Sequence, residues 1–198
     1  MQNRILFTLA IVLSVVLVAC GGDADSGDNG GGDAIELSQT ITADEPVAGG
    51  TLSANYPDGW FGEDAGGAII LADSEEALAS QADGAEEGQI LTSISFLSPE
   101  MVSAMAGDSE LTALAVLEAM SSQAGDEVDM GEPEEITVGG NPAALVSATE
   151  DDADTMVIIV EVEGGFVLVA ATTASGGMAD ARPTVEAIAG SVTYTAAE

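Results

Sequence analysis

Nucleophilic catalysis needs a nucleophile with a base in reach, and the reactive side chains of this chain are few. There is one cysteine, Cys20, with no histidine and no lysine, and Arg4 and Arg182 are the only basic residues against 35 acids. Ser-His-Asp hydrolysis, Cys/His zinc sites and Schiff-base chemistry are excluded by composition. A lone cysteine makes no internal disulfide. Paired carboxylates could in principle run glycoside hydrolysis, but acids are so abundant that any one pair is uninformative. A 4% aromatic fraction is also thin for a carbohydrate enzyme.

Two acidic stretches invite a calcium reading. Asp23-x-Asp25-x-Gly27 puts Gly27 where an EF-hand loop needs its fifth ligand and Asp28 where it needs its glycine, so it reads as solvated chain. Glu150-Asp151-Asp152-Ala153-Asp154 is denser and lies between strands, making Asp151, Asp152 and Asp154 weak candidate oxygen ligands. No glycine bend accompanies them, and a charge run of this kind is ordinarily a turn in water. Met101, Met105 and Met120 have no His or free Cys to complete a Cu(I) site and are expected to fill core gaps. Gly139-Gly140-Asn141-Pro142 lacks the lysine and following helix of a phosphate loop, and is expected to be a turn that Pro142 ends. No cofactor is expected.

Around Cys20 the sequence is more specific. Arg4 precedes an apolar run from Ile5 to Ala19, and a Gly/Asp tract follows the cysteine. That is the layout of an export signal. The run falls short of the roughly 18 apolar residues a spanning helix needs. On these residues alone, an ordinary secretory signal with an incidental cysteine, or an uncleaved anchor, stays open. Leu17-Val18-Ala19-Cys20 resembles the lipobox of bacterial lipoproteins. The resemblance implies cleavage between Ala19 and Cys20, a diacylglycerol thioether on Cys20, and usually acylation of the new amino group. Several acyl chains at about 0.8 kcal/mol per buried methylene hold a protein on a bilayer far better than one. Gly21 lacks the aspartate associated with inner-membrane retention in some Gram-negative bacteria.

The formal charge is −33, and loss of Arg4 with the signal leaves −34. Nucleic-acid binding has no cations to work with, and neither has electrostatic attachment to an anionic membrane. The chain is nevertheless 46% hydrophobic with mean hydropathy +0.31, the composition of a chain with a core. Carboxylates at this density repel until cations screen them, which points to saline surroundings; a lineage whose exported proteins are simply acidic is the alternative.

The division that follows is 1–19 signal, 20–34 acylated cysteine and Gly/Asp tether, and 35–198 one domain. The tether would span about 20 Å r.m.s. as a flexible coil. Strands are expected at 35–42, 51–56, 67–71 and 89–97, with a helix opening at 73–78. In 89–97 the alternation Ile90, Thr92, Ile94, Phe96 with Leu91 and Leu97 opposite predicts a strand covered on both faces. Asp108 is expected to cap a helix over 109–120 that Gly125 closes. A meander follows through 135–138, 144–149, 155–163 and 166–173, turning at Gly164-Gly165. Pro183 is expected in the first turn of a short helix, 184–189, before a last strand at 191–194. Strands interleaved with a few helices make an α+β fold, an antiparallel sheet sandwiched by helices.

The "YPDGW" turn after an early strand, "ITVGGNPAALVSAT", the "VIIVEVEGGFVLVAATT" hairpin and a closing "PTVEAIAGSVTY" together resemble the PsbP/Mog1-like α/β/α sandwich, from about Thr51 to Tyr194. The resemblance implies a non-catalytic accessory domain, as in a photosystem extrinsic subunit, a GTPase-binding factor and many exported lipoproteins. The basic docking surfaces of some relatives have no counterpart here. The expectation is therefore a lipid-anchored lipoprotein, not an enzyme, exported to the cell membrane or an outer membrane where the cell has one. Its partners would be the membrane, through the anchor, and an envelope protein of unknown identity. A small-molecule or Ca²⁺-binding envelope module is the alternative, with a carboxylate-dependent hydrolase behind it.

Overall fold

A computed structural model of the chain describes residues 35–43, 49–81, 84–106, 111–122, 129–150 and 152–197. Its centre forms from the two most apolar runs. β9 (Ala153–Val162) and β10 (Gly165–Ala174) pair from Val162↔Gly165 to Ala153↔Ala174 across a turn in which Gly164 takes φ +87°. Such unbroken β-branched stretches suit strands buried on both faces. β5 (Ile90–Leu97) flanks β10, and β4 (Ile69–Ala72) and β3 (Phe61–Asp64) continue to one edge. β8 (Asn141–Thr149) flanks β9 and carries both β7 (Glu134–Val138) and the short β6 (Asp129–Met130). Every pairing is antiparallel.

Period-two alternation gives this sheet two different apolar faces. Met156, Ile158 and Val160 of β9, with Ile94, Phe96, Val167 and Val169, belong to one core. Over it lie α4 (Met178–Ser191), through Val185 and Ile188, and a second sheet of β1 (Leu37–Ala43), β2 (Gly50–Pro57) and β11 (Thr193–Ala196), through Leu52 and Ala54. Val157, Ile159, Val146 and Leu168 belong to the other core, under Val102 of α2 (Pro99–Ala106) and Val116, Leu117 and Met120 of α3 (Ala113–Ser121). α1 (Glu75–Ala79) starts at Ser74, whose Oγ accepts from Ala77 N at 3.1 Å. The fold is thus α+β and antiparallel, with helices on both sides of the main sheet. The three-stranded sheet is an addition to the sequence expectation.

Ser191 ties the layers on that side. Its hydroxyl accepts from Asn55 N at 2.9 Å and lies 3.1 Å from Asn55 O and 2.7 Å from Ile188 O, either of which takes its proton. Tyr194 of β11 stacks on Phe96 of β5, ring centroids 3.6 Å apart, which joins the two sheets.

Several boundaries differ from expectation. The helix expected over 109–120 begins at Ala113 with Thr112 as its cap; Asp108 and Gly125 lie outside the described residues, and the helix ends at Ser121. Pro142 does not end the turn after β7. Val138 already pairs with Asn141 and Thr137 with Pro142, leaving only Gly139-Gly140 between the strands. The β9 ladder begins one residue later, at Ala143↔Val160, so the missing proline N–H costs no ladder bond. α4 starts at Met178, not at Pro183, and the proline sits inside it without an amide for the Ala179 carbonyl. The last strand runs over Thr193–Ala196 and pairs with β2.

Candidate functional site

Cys20 and Asp151 lie outside the described residues. The two remaining acidic candidates are built into a turn. Asp154, half-buried at the start of β9, accepts from Gly176 N through Oδ2 at 2.7 Å, and the Asp152 carbonyl accepts from Ser175 N at 3.2 Å. Glu150 N donates to Ala153 O at 2.8 Å. Together these bonds fasten the β8–β9 turn to the turn that leads into α4. Among the described residues no group of three or more His, Cys, Asp or Glu side chains is placed to hold a metal ion.

Several other carboxylates also serve the backbone or the one described cation. Asp64 Oδ1 accepts from Gly66 N and Gly67 N, each at 3.1 Å, and closes the β3–β4 turn. Glu161 Oε1 accepts from Ala113 N at 2.8 Å. Arg182 donates from Nε to Glu186 Oε1 at 2.6 Å and approaches Glu134 Oε2 at 3.9 Å, bridging α4 to β7. The methionines divide: Met120 is buried and Met105 packs beside it, but Met101 is exposed on α2. Core filling therefore accounts for two of the three.

Buried polar atoms without a protein partner among the described residues are Asp73 Oδ1, Thr92 Oγ1 and Thr173 Oγ1. Thr173 stands opposite Ile90, and Thr92 opposite both Leu71 and Ala171. Asp73 N donates to Ile90 O at 3.2 Å, so Asp73 and Thr173 flank Ile90 on one face of the sheet.

The other distinctive region is where the chain enters the domain. Leu37 at the start of β1 pairs with Pro57, Gln39 Nε2 donates to Asp58 Oδ1 at 3.3 Å, and Trp60 N closes the turn on Pro57 O at 3.3 Å. Gly59 takes φ +81°, which the "PDG" turn requires. Tyr56 and Trp60 pack half-buried against the core. Phe61 does not. It opens the edge strand β3 with 39% of its surface exposed, and Ile35 at the chain's entry is exposed to the same degree. Phe61 went unremarked in the sequence because Phe61-Gly62-Glu63-Asp64 carries a single large apolar residue and no strand alternation.

No family model matches the chain, and no curated protein matches it in sequence. Solved structures similar in fold include the cyanobacterial PsbP protein CyanoP of Synechocystis, 16% identical over 84% of this chain and 96% of that one, TM-score 0.42. LpqN of Mycobacterium tuberculosis, described as involved in cell envelope biogenesis, is 13% identical over 79% of this chain and 91% of its own, TM-score 0.42. A Bacteroides thetaiotaomicron protein is 15% identical over 82% of this chain and 50% of its own, TM-score 0.43. At these identities and scores nothing of those proteins' roles passes to this chain.

Proposed function

We propose that the chain is an exported lipoprotein, anchored through Cys20, whose α+β domain binds an envelope protein without catalytic turnover. The observation that carries the anchor is Leu17-Val18-Ala19-Cys20 at the junction of a short apolar run and a Gly/Asp tract. The binding role draws support from the way its charged groups are used: Asp64, Asp154 and Glu161 hold backbone amides, and Glu134 and Glu186 hold Arg182. Side chains so engaged brace a scaffold, and function then resides in its surface.

At −34 the mature chain repels acidic proteins, so its partner presents a basic or cation-bridged surface. Crosslinking in intact cells, followed by binding at two ionic strengths, tests this. A recovered partner with a basic contact surface, associating more slowly as salt rises, is expected. Turnover on envelope glycans that vanishes when one carboxylate is replaced would overturn the reading.

A further inference from the structure

We infer that the end of the domain carrying Ile35, Trp60 and Phe61 rests on the lipid bilayer, with Phe61 and Trp60 entering its interface; this rests on the anchor proposed at Cys20. Three observations converge on that end. The chain enters the domain there, since Leu37, the first residue of β1, is paired with Pro57 of the turn. The fifteen residues from Cys20 to Ala34 could reach no more than about 50 Å fully extended, so an acylated Cys20 keeps this end near the membrane. Among the described residues the exposed large hydrophobic side chains are Ile35, Phe61 and Met101, and two of the three flank this entry.

Residue chemistry agrees. Tyr56, Trp60 and Phe61, three of the chain's seven aromatic residues, lie on and beside the turn between β2 and β3. Phe61 offers exposed apolar area, and the half-buried Tyr56 and Trp60 beside it carry the polar edges that favour the headgroup level of a bilayer. Tethering raises the local concentration to the order of millimolar, enough for a small apolar contact that would not hold a free protein. Glu36, beside Leu37, and Asp58, on the turn, share this end, so an anionic bilayer opposes the contact and a zwitterionic one accepts it.

Trp60 is the only tryptophan and Cys20 the only cysteine, which makes the chain its own probe. The experiment uses the membrane-extracted protein reconstituted in phosphatidylcholine vesicles with brominated or plain acyl chains, and the chain from Cys20 onward coupled through that thiol to a maleimide lipid in the same vesicles. Trp60 emission is expected to shift to the blue and fall at least twofold in brominated vesicles. Phe61→Ser should remove most of that quenching while the protein still floats with the vesicles. A third of anionic lipid at low salt should weaken the quenching, and about 1 M salt, where the Debye length is about 3 Å, should restore it. Equal Trp60 emission in brominated and plain vesicles in the thiol-coupled form overturns the inference, as would Phe61 crosslinking to a peptide strand on the β3 edge in the vesicle-bound protein. Absence of lipid from the extracted protein overturns the anchor instead, and the thiol-coupled arm still reads the docking.

Discussion

Glu161, on β9, accepts a hydrogen bond from Ala113 N at 2.8 Å, so a carboxylate of the central sheet closes the first turn of α3. Thr112 Oγ1 takes Ala115 N at 3.2 Å, and two of the helix's free amides are thereby satisfied from different elements. The carboxylate also sits at the positive end of the helix dipole.

Glu161→Ala should therefore cost about 1 kcal/mol of unfolding free energy, and Thr112→Ala a similar amount. Glu161→Gln keeps the acceptor but not the charge and should cost a few tenths. Because the two caps serve separate amides, the double alanine variant should lose about 2 kcal/mol, close to the sum. Urea titrations followed by circular dichroism measure all four. Equal losses for Glu161→Gln and Glu161→Ala would place the stabilisation in the charge rather than the bond.

Gly139 and Gly140 make a matched pair. Both have positive φ, +58° and +86°, but a Cβ on Gly140 would meet nothing within 4 Å, whereas Gly139 lies against the Gly190 backbone at the end of α4. A Cβ on Gly190 would stand 2.7 Å from Gly139 N. Gly140→Ala should cost the left-handed strain alone, about 1 kcal/mol. Gly139→Ala adds a backbone displacement, for about 2–4 kcal/mol together. Equal losses in thermal or urea unfolding would mean that the hairpin and α4 separate freely.

Cys20→Ser should leave an unprocessed precursor, and the wild-type amino terminus should carry a diacylglycerol thioether after loss of residues 1–19. Intact-mass and amino-terminal peptide mass spectrometry decide this. An unmodified thiol, or cleavage elsewhere, would refute the anchor.

What could be read in advance follows the range of the interactions. The central strands announced themselves through local alternation and β-branched runs, as in Ile90–Leu97 and Ala153–Val162. α2, which was not among the expected helices, had a signal too: Ser98 Oγ accepts from Met101 N at 3.3 Å, and Pro99 follows that cap, the ordinary opening of a helix. The three-stranded sheet had none, because Ser191 and Asn55 meet across 136 positions and β11 finds β2 only after α4 has crossed the main sheet. Pro183 argued for a helix start and was overridden by the buried side chains Met178 and Ala181, which extend α4 backward onto the core. A linear motif such as that around Cys20 is readable without a fold, and it lies outside the described residues. The apolar end around Phe61 was not legible, since its position beside the chain's entry depends on the β1–β2 register.

The charge gives the last prediction. From Cys20 onward the chain carries 35 acids and, among its side chains, one strong base, Arg182, which already bridges Glu134 and Glu186. Folding brings the remaining carboxylates closer together than they lie in the extended chain, and that repulsion opposes the compact state. Salt screens it, with a Debye length falling from about 10 Å at 0.1 M to about 3 Å at 1 M. The apolar cores on both faces of the sheet resist the repulsion at every salt concentration, so the chain should stay folded at low salt but melt earlier. A soluble chain beginning at Gly21 should show a thermal midpoint that rises by several degrees between 0.1 M and 1 M sodium chloride. The same rise in potassium chloride would identify screening, since a bound ion would distinguish the two cations. A flat or falling midpoint would show that the carboxylates are spaced widely enough on this fold not to repel, and would remove the case for saline surroundings.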